Sequence, residues 1–160
     1  MLSAQYKPYE IKVLEGQTQY EFVFSFTTDN NIDYIATFNK AEYRFNEECY
    51  QAFNVYDFSF YNVQNLGDFS DPRISSTIHK LLVYFMETNG HAIIYICDDA
   101  DGKSEARDRL FKWWYRHFDN SQYQAYFTKI ELPEYDTYVG IIALVGDSGF
   151  ENYLRYLEIY

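Results

Sequence analysis

The sequence predicts an α+β domain in which helices pack on a mixed, largely antiparallel sheet. Up to residue 63, several segments alternate between polar and apolar residues, which is the pattern of strands with one buried face. Beyond that point, helical spacing of apolar residues alternates with short apolar runs, and two strand-like runs follow each other near the end. The predicted order is β-β-β-α-β-α-β-β-α, in a single domain over residues 1–160, because the length fits one domain.

The first two strands form the clearest predicted element. Phe22, Phe24 and Phe26 share one side of an alternating run, and the alternation resumes after an Asp/Asn turn at residues 28–31. Two such runs around a turn predict a β-hairpin. Residues 9–13 predict a short preceding strand or an edge arm, and residues 54–63 predict the third strand of the meander.

The first helix has signals at both ends. Asp71 is a favourable N-cap, Pro72 suits the first helical position, and the apolar spacing that begins at Ile74 ends near Gly90. An apolar strand at Ala92–Cys97 follows. Because one helix separates it from the third strand, these two strands are predicted to be parallel.

Four later elements complete the order. A second helix follows Gly102, and strands are predicted at residues 123–132 and 138–145. Ser148 and Glu151 have the spacing of a capping box, which predicts that Ser148 begins the last helix.

Composition narrows the classes of function. The chain has 18 Tyr, 14 Phe and a formal net charge of −11, so it is expected to repel nucleic-acid backbones. Cys49 and Cys97 suggest no disulfide framework, and neither a signal segment nor a transmembrane run is recognisable, so a cytoplasmic location is expected. The acidic charge favours a protein partner, and the aromatic-rich edges are compatible with a dimer.

Clustered acids follow the predicted strand that ends at Cys97. Asp98, Asp99 and Asp101 could bind Mg²⁺, because clustered carboxylates are ligands for hard cations. Turn formation and favourable charge at a helix start explain the same residues without a metal, and no metal site is predicted. The residues Gly146-Asp147-Ser148-Gly149 resemble a serine-protease motif, but the matching His and Asp segments are absent.

The predicted second helix combines basic and aromatic residues, and its candidate binding residues are Arg107, Arg109, Lys112, Trp113 and Arg116. Such a face could grip an anion or an acidic partner. In the alternative interpretation, Trp113 or Trp114 anchors the core while the basic residues pair with Glu105, Asp108 and the acidic loop.

Two resemblances extend this picture. The segments Asp71-Pro72-Arg73-Ile74, Cys97-Asp98-Asp99-Ala100-Asp101-Gly102 and Arg107–Trp114 resemble an uncharacterised family of small Bacteroidetes proteins, which implies no known activity. The order of elements resembles the core of GNAT-type N-acetyltransferases, which implies a GNAT-like sheet and acetyl-CoA as a cofactor. The glycine-rich pyrophosphate loop of that family is missing here, and Phe111 stands nearest to its tyrosine acid.

The leading hypothesis is therefore a bacterial interaction or binding domain with a degenerate GNAT-like fold, no intact catalytic motif and no cofactor. The first alternative is an acyl-CoA-dependent N-acyltransferase in which Arg73 takes the pyrophosphate. The second is a Mg²⁺-dependent phosphoryl-transfer enzyme that uses the 98–101 acidic loop. The sequence leaves open whether the protein is an enzyme, and its catalytic residues stay unknown.

Overall fold

The computed structural model describes residues 6–14, 21–64, 71–97, 104–117, 121–134 and 136–158. The strands are β1 (Lys12–Val13), β2 (Glu21–Thr27), β3 (Asp33–Lys40), β4 (Val55–Asn62), β5 (Ala92–Cys97), β6 (Tyr123–Glu131) and β7 (Asp136–Leu144). The helices are α1 (Pro72–Asn89), α2 (Ser104–Arg116) and α3 (Phe150–Tyr156), and 3₁₀ turns lie at Glu42–Arg44 and Tyr50–Asn54. The predicted order of elements is confirmed, with β1 as the short preceding strand.

The described strands form one sheet in the order β1-β2-β3-β4-β5-β7-β6. The pairing is antiparallel except between β4 and β5, which are parallel and joined through α1. The predicted α+β class and mixed, largely antiparallel sheet are therefore confirmed. In the last hairpin β7 pairs with β5, and β6 therefore forms one edge of the sheet.

The predicted hairpin provides much of the core. Phe22, Phe24 and Phe26 lie opposite Phe38, Ala36 and Tyr34, so their side chains share one face of the sheet. Phe85 of α1 stacks on Phe38 with a centroid separation of 3.9 Å, and α2 packs on the same face. We call this side of the sheet the helix face.

The ends of α1 confirm the sequence signals. The Asp71 side chain accepts a hydrogen bond from the Arg73 N–H at 2.9 Å, and Pro72 occupies the first turn. Gly90 closes the helix in the left-handed conformation, with φ = 69°, and donates its N–H to the Met86 carbonyl at 2.8 Å. This conformation favours glycine because a Cβ is strained there. Over the described residues, no helix is both long and apolar enough to cross a bilayer.

The opposite face of the sheet is covered around β5 and β7 by α3, whose Tyr153 is fully buried. The capping box predicted for α3 is wrong. Gly149 is the N-cap, and no side chain caps the helix. Asp147 accepts the Gly149 N–H at 2.9 Å and the Tyr153 hydroxyl at 3.0 Å, so it holds the start of the helix without capping its first-turn N–H groups.

Candidate functional site

The sheet divides at its parallel pair. β4 and β5 pair only from Val55↔Ala92 to Asp57↔Ile94. Beyond these positions β4 continues along β3 as far as Asn62, and β5 continues along β7 as far as Cys97. The two strands therefore separate toward their carboxyl ends, and ligands commonly bind in open sheets outside the carboxyl ends of parallel strands.

A cleft of about 170 Å³ lies at this separation. Strands β4 and β5 each contribute a run of three consecutive residues, and α2 contributes two side chains. The lining residues are Phe58, Ser59, Phe60, Tyr95, Ile96, Cys97, Arg107 and Phe111. Four aromatic rings thus share the cleft with one guanidinium group, which is permanently charged.

The ring of Tyr95 is held between two elements. It stacks on Phe111 with a centroid separation of 3.8 Å and an interplanar angle of 13°. On the neighbouring strand it faces Gly140, its partner in the β5–β7 ladder. A Cβ atom at position 140 would lie 2.3 Å from the Tyr95 Cε1 atom, so glycine is required for this close approach.

A hydrogen-bonded chain runs from Tyr95 into α2. The Tyr95 hydroxyl donates to Asp108 Oδ1 at 3.1 Å, and Lys112 Nζ lies 2.8 Å from Asp108 Oδ2. Asp108 is only 3% exposed, so its charge needs both partners. Burial, followed by the Asp108 charge, raises the pKa of Tyr95 far above its ordinary value. The phenol therefore stays protonated at neutral pH, and its O–H group donates the hydrogen bond that orients the Asp108 carboxylate.

Of the basic residues predicted on α2, Arg107 lines the cleft. Arg109 pairs with Glu105 at 3.0 Å, and Arg116 Nε donates to the Lys112 carbonyl at 3.3 Å. Lys112 is paired with Asp108, as described above. The pairs with Glu105 and Asp108 are those of the alternative interpretation, whereas pairing with the acidic loop and binding of a partner by this face stay predictions.

The two tryptophans have different environments. Trp114 is 1% exposed and packs on Phe60 and Phe111, whereas the partly buried Trp113 lies against the His117 ring at 4.2 Å. Trp114 is therefore the core residue. Its indole N–H finds no acceptor among the described residues.

Arg73 lies at the start of α1 and is not among the residues that line the cleft. Its Nε donates to the Lys7 carbonyl at 2.7 Å, its Nη1 pairs with Asp29 at 3.0 Å, and its guanidinium stacks 3.8 Å from the Tyr9 ring centroid. The Tyr9 hydroxyl in turn donates to Asp71. The amino end of α1 thus already carries the carboxylate of Asp71, and Arg73 holds the N-terminal segment.

The acidic candidates Asp98, Asp99 and Asp101 lie outside the described residues. Within the described ranges, no group of three or more His, Cys, Asp or Glu side chains is placed to hold a metal ion. The magnesium hypothesis for the 98–101 loop stays a prediction.

The protein thus has an α+β fold whose sheet divides at its parallel pair of strands, with a cleft at the division. The chain belongs to a family of unknown function, DUF6169, whose model matches residues 70–155. The match begins beside the N-cap of α1 and ends within α3, so it includes β5 and α2. No curated protein gave a sequence match.

Two solved structures are similar to the chain in part. One is described provisionally as a phosphinothricin N-acetyltransferase, with 13% identity, a TM-score of 0.46, and coverage of 82% of this chain and 76% of that chain. The other is MesI, a CoA-dependent acyl-homoserine lactone synthase, with 13% identity, a TM-score of 0.44, and coverage of 94% and 75%. Similarity at this level carries no argument about the chemistry of this chain.

Sequence reasoning missed most of the cleft. Tyr95 and Phe58 have the pattern of ordinary core residues, and only the tertiary structure shows that their strands separate. Two signals were present in the sequence. Gly140 interrupts an apolar strand, which often marks a close approach, and Asp108 lies one turn before Phe111 on the apolar side of its helix.

Proposed function

We propose that this protein is a binding domain whose cleft between β4 and β5 takes a small organic anion. An apolar or aromatic body would lie against the rings of Phe58, Phe60 and Phe111, and an anionic group would pair with Arg107. The observation that supports this proposal is the end of the β4–β5 pairing at Asp57↔Ile94, which opens the cleft beside Arg107.

The size of the cleft favours a small ligand or one end of a larger one. Its volume of about 170 Å³ is below the roughly 300–1,000 Å³ usual for sites that hold drug-sized molecules. The net charge of −11 would repel an anion at most of the surface, so a local guanidinium provides selectivity. Arginine also matches a carboxylate or phosphate group with two parallel hydrogen bonds.

The lining supports binding more than catalysis. Ser59 and Cys97 could act as nucleophiles only with an adjacent base, and the described lining includes neither a histidine nor a carboxylate. Tyr95 is engaged by Asp108, and its raised pKa prevents it from accepting a proton at neutral pH. The cleft therefore offers recognition groups in fixed positions, as expected of a binding site.

An acyl-CoA ligand receives less support from the described residues. A helix N-terminus binds phosphate through its backbone N–H groups, but in α1 the Asp71 carboxylate already accepts the Arg73 N–H. Arg73, the predicted pyrophosphate ligand, is neutralised by Asp29. These contacts already occupy the start of α1, and residues 67–70 of the predicted pyrophosphate loop lie outside the described residues, so we derive no transfer step through acetyl-CoA.

The proposal is tested by calorimetric titration of the full chain with benzoate, phenylacetate, CoA and acetyl-CoA. We expect saturable binding of at least one aromatic carboxylate and a loss of affinity of tenfold or more in Arg107→Ala, because a charge-assisted pair contributes about 1.5–3 kcal/mol. Arg109→Ala is the matched control: it removes the same side chain from the same helix, outside the cleft.

Equal weakening by Arg107→Ala and Arg109→Ala would contradict the site, as would the absence of binding by every probe. Binding of CoA and acetyl-CoA alone, independent of Arg107, would instead favour the acyltransferase alternative. A protein partner for the α2 surface stays a separate prediction.

A further inference from the structure

Among the described strands, β6 forms one edge of the sheet, and it carries neither a proline nor a bulge. All nine of its residues pair with β7 in one unbroken register from Tyr123↔Leu144 to Glu131↔Asp136, so no bulge twists the edge away. The strand contains no proline, and its charges, Lys129 and Glu131, stand near its carboxyl end. Natural proteins usually block such edges with charges, prolines, bulges or a covering element.

The free backbone groups of this edge can be assigned from the ladder. The Val145 N–H donates to the Gln122 carbonyl at 2.8 Å, which continues the same register by one pair. Hydrogen-bonded and non-bonded pairs alternate in an antiparallel ladder, so even-numbered residues of β6 bond to β7. The backbone N–H and C=O groups of Ala125, Phe127 and Lys129 therefore point away from β7. No described residue forms a hydrogen bond with these groups.

We propose that a second copy of this chain pairs with β6 in antiparallel orientation, across a two-fold axis at Phe127. Outward-facing residues then meet in hydrogen-bonding positions: Phe127 lies opposite Phe127 of the second copy, and Ala125 lies opposite Lys129. No two like charges of β6 stand opposite each other in this register. The two sheets join into one continuous sheet.

The charges at the two ends of β6 complement each other in this arrangement. The Tyr115 hydroxyl donates to the Tyr123 carbonyl at 3.4 Å, so the last turn of α2, which ends at the exposed Arg116, lies close to the amino end of the strand. The carboxyl end carries Glu131, followed by Glu134 and Asp136. Lys129 Nζ lies 3.3 Å from Asp136 and 3.9 Å from Glu131, so these three carboxylates and one ammonium group leave the carboxyl end negative. Antiparallel pairing brings this end of each copy toward the end of α2 in the other, where Arg116 offsets part of the repulsion between two acidic chains.

The first test uses the wild-type full chain. Sedimentation equilibrium over a range of concentrations should show a monomer–dimer equilibrium. Amide hydrogen exchange should distinguish the two sides of β6. The amides of Gln124, Tyr126 and Thr128 are bonded to β7 and should be protected at every concentration, whereas those of Ala125, Phe127 and Lys129 should gain protection only as dimer forms.

The second test introduces a charged side chain at position 125. Ala125→Lys places a lysine opposite Lys129 of the second copy, twice in each dimer, and should raise the dimer dissociation constant by roughly tenfold. Ala125→Glu is the matched control, because a side chain of similar length then meets the opposite charge and the dimer should persist. The double variant Ala125→Lys/Lys129→Glu should restore association.

A chain that stays monomeric at the highest soluble concentration would overturn the proposal. A dimer whose Ala125, Phe127 and Lys129 amides stay unprotected, or which Ala125→Lys and Ala125→Glu affect equally, would show that another surface is used. Thermal unfolding of each variant verifies that it folds. The dimer proposal does not depend on the cleft. If the chain bound a ligand in the cleft but stayed monomeric, only the dimer proposal would be overturned.

Discussion

The ring of Tyr95 occupies the space that a side chain at Gly140 would take. The two residues are directly opposite in the β5–β7 ladder, and a Cβ at position 140 would lie 2.3 Å from Cε1 and 2.4 Å from Cζ of the ring. With Phe111 stacked on its other side, Tyr95 is fixed at the wall of the cleft. The missing side chain of Gly140 is therefore what gives this wall its shape.

Gly140→Ala should destabilise the fold by about 1–3 kcal/mol, the usual cost of overpacking a well-packed core. The clash involves the ring of a buried tyrosine that is stacked on Phe111 and bonded to Asp108, so relieving it disturbs packed groups. Urea denaturation measures the loss. The displaced ring should also alter the cleft and weaken any ligand that binds there.

Gly146→Ala provides the control for this experiment. A Cβ at position 146 meets no atom within 4 Å, and no positive φ is required there, so the free energy of unfolding should change by less than about 0.5 kcal/mol. Similar losses in both variants would show that backbone freedom, rather than the Tyr95 contact, makes Gly140 important.

Tyr95→Phe should lower the free energy of unfolding at neutral pH by about 1–2 kcal/mol, because buried Asp108 loses a hydrogen-bond donor and keeps Lys112. The effect should depend on pH. The pKa of Tyr95 is raised in the fold, so the folded chain holds the phenolic proton more tightly than the unfolded chain. This stabilisation is fully present below the ordinary tyrosine pKa of about 10 and is lost as the pH rises beyond it.

Urea denaturation from about pH 7 to about pH 11 should therefore show the wild type losing stability more steeply than Tyr95→Phe above pH 10. Tyr126→Phe serves as the control, since Tyr126 is 40% exposed and its substitution leaves the hydrogen bond between Tyr95 and Asp108 in place. Parallel curves for wild type and Tyr95→Phe would contradict the burial of this hydroxyl.

Trp114→Ala should lower the free energy of unfolding by about 3–5 kcal/mol, as large-to-small changes of fully buried aromatic residues do. Trp113→Ala should cost less, because Trp113 is only partly buried and its described ring contact is with His117. Fluorescence provides a second measurement: the variant that keeps only Trp114 should emit at shorter wavelength. The reverse order of losses would mean that α2 is rotated relative to the sheet.

Arg73→Ala should release the N-terminal segment from α1. The guanidinium stacks on Tyr9 and pairs with Asp29, whose side chain is 76% exposed, so the stability loss should stay near 1 kcal/mol. Limited proteolysis should then cut the segment around residues 6–14 faster than in wild type. Arg73→Lys should restore little of the lost stability, because lysine lacks the planar group that stacks on Tyr9. Weakened acetyl-CoA binding with unchanged proteolysis would instead support a phosphate-binding role.

The sequence alone determined the elements of the fold. Its local signals are strong: strict alternation predicts β2 and β3, and Asp71, Pro72 and Gly90 mark both ends of α1. These signals act within a few residues, through backbone hydrogen bonding and the burial of one face. The start of the last helix shows where such signals fail: Ser148 and Glu151 have the spacing of a capping box, yet Gly149 is the N-cap and no side chain caps the helix.

Only the tertiary structure decided how the elements meet. The placement of β7 beside β5, the separation of β4 from β5, and the contact of Tyr95 with Gly140 all join residues distant in sequence. Periodicity shows that a side chain is buried but not which strand it faces, because many pairings bury the same apolar surface. The basic residues of α2 illustrate this difference: their spacing was visible in the sequence, but only packing assigns Arg107 to the cleft and Lys112 to Asp108.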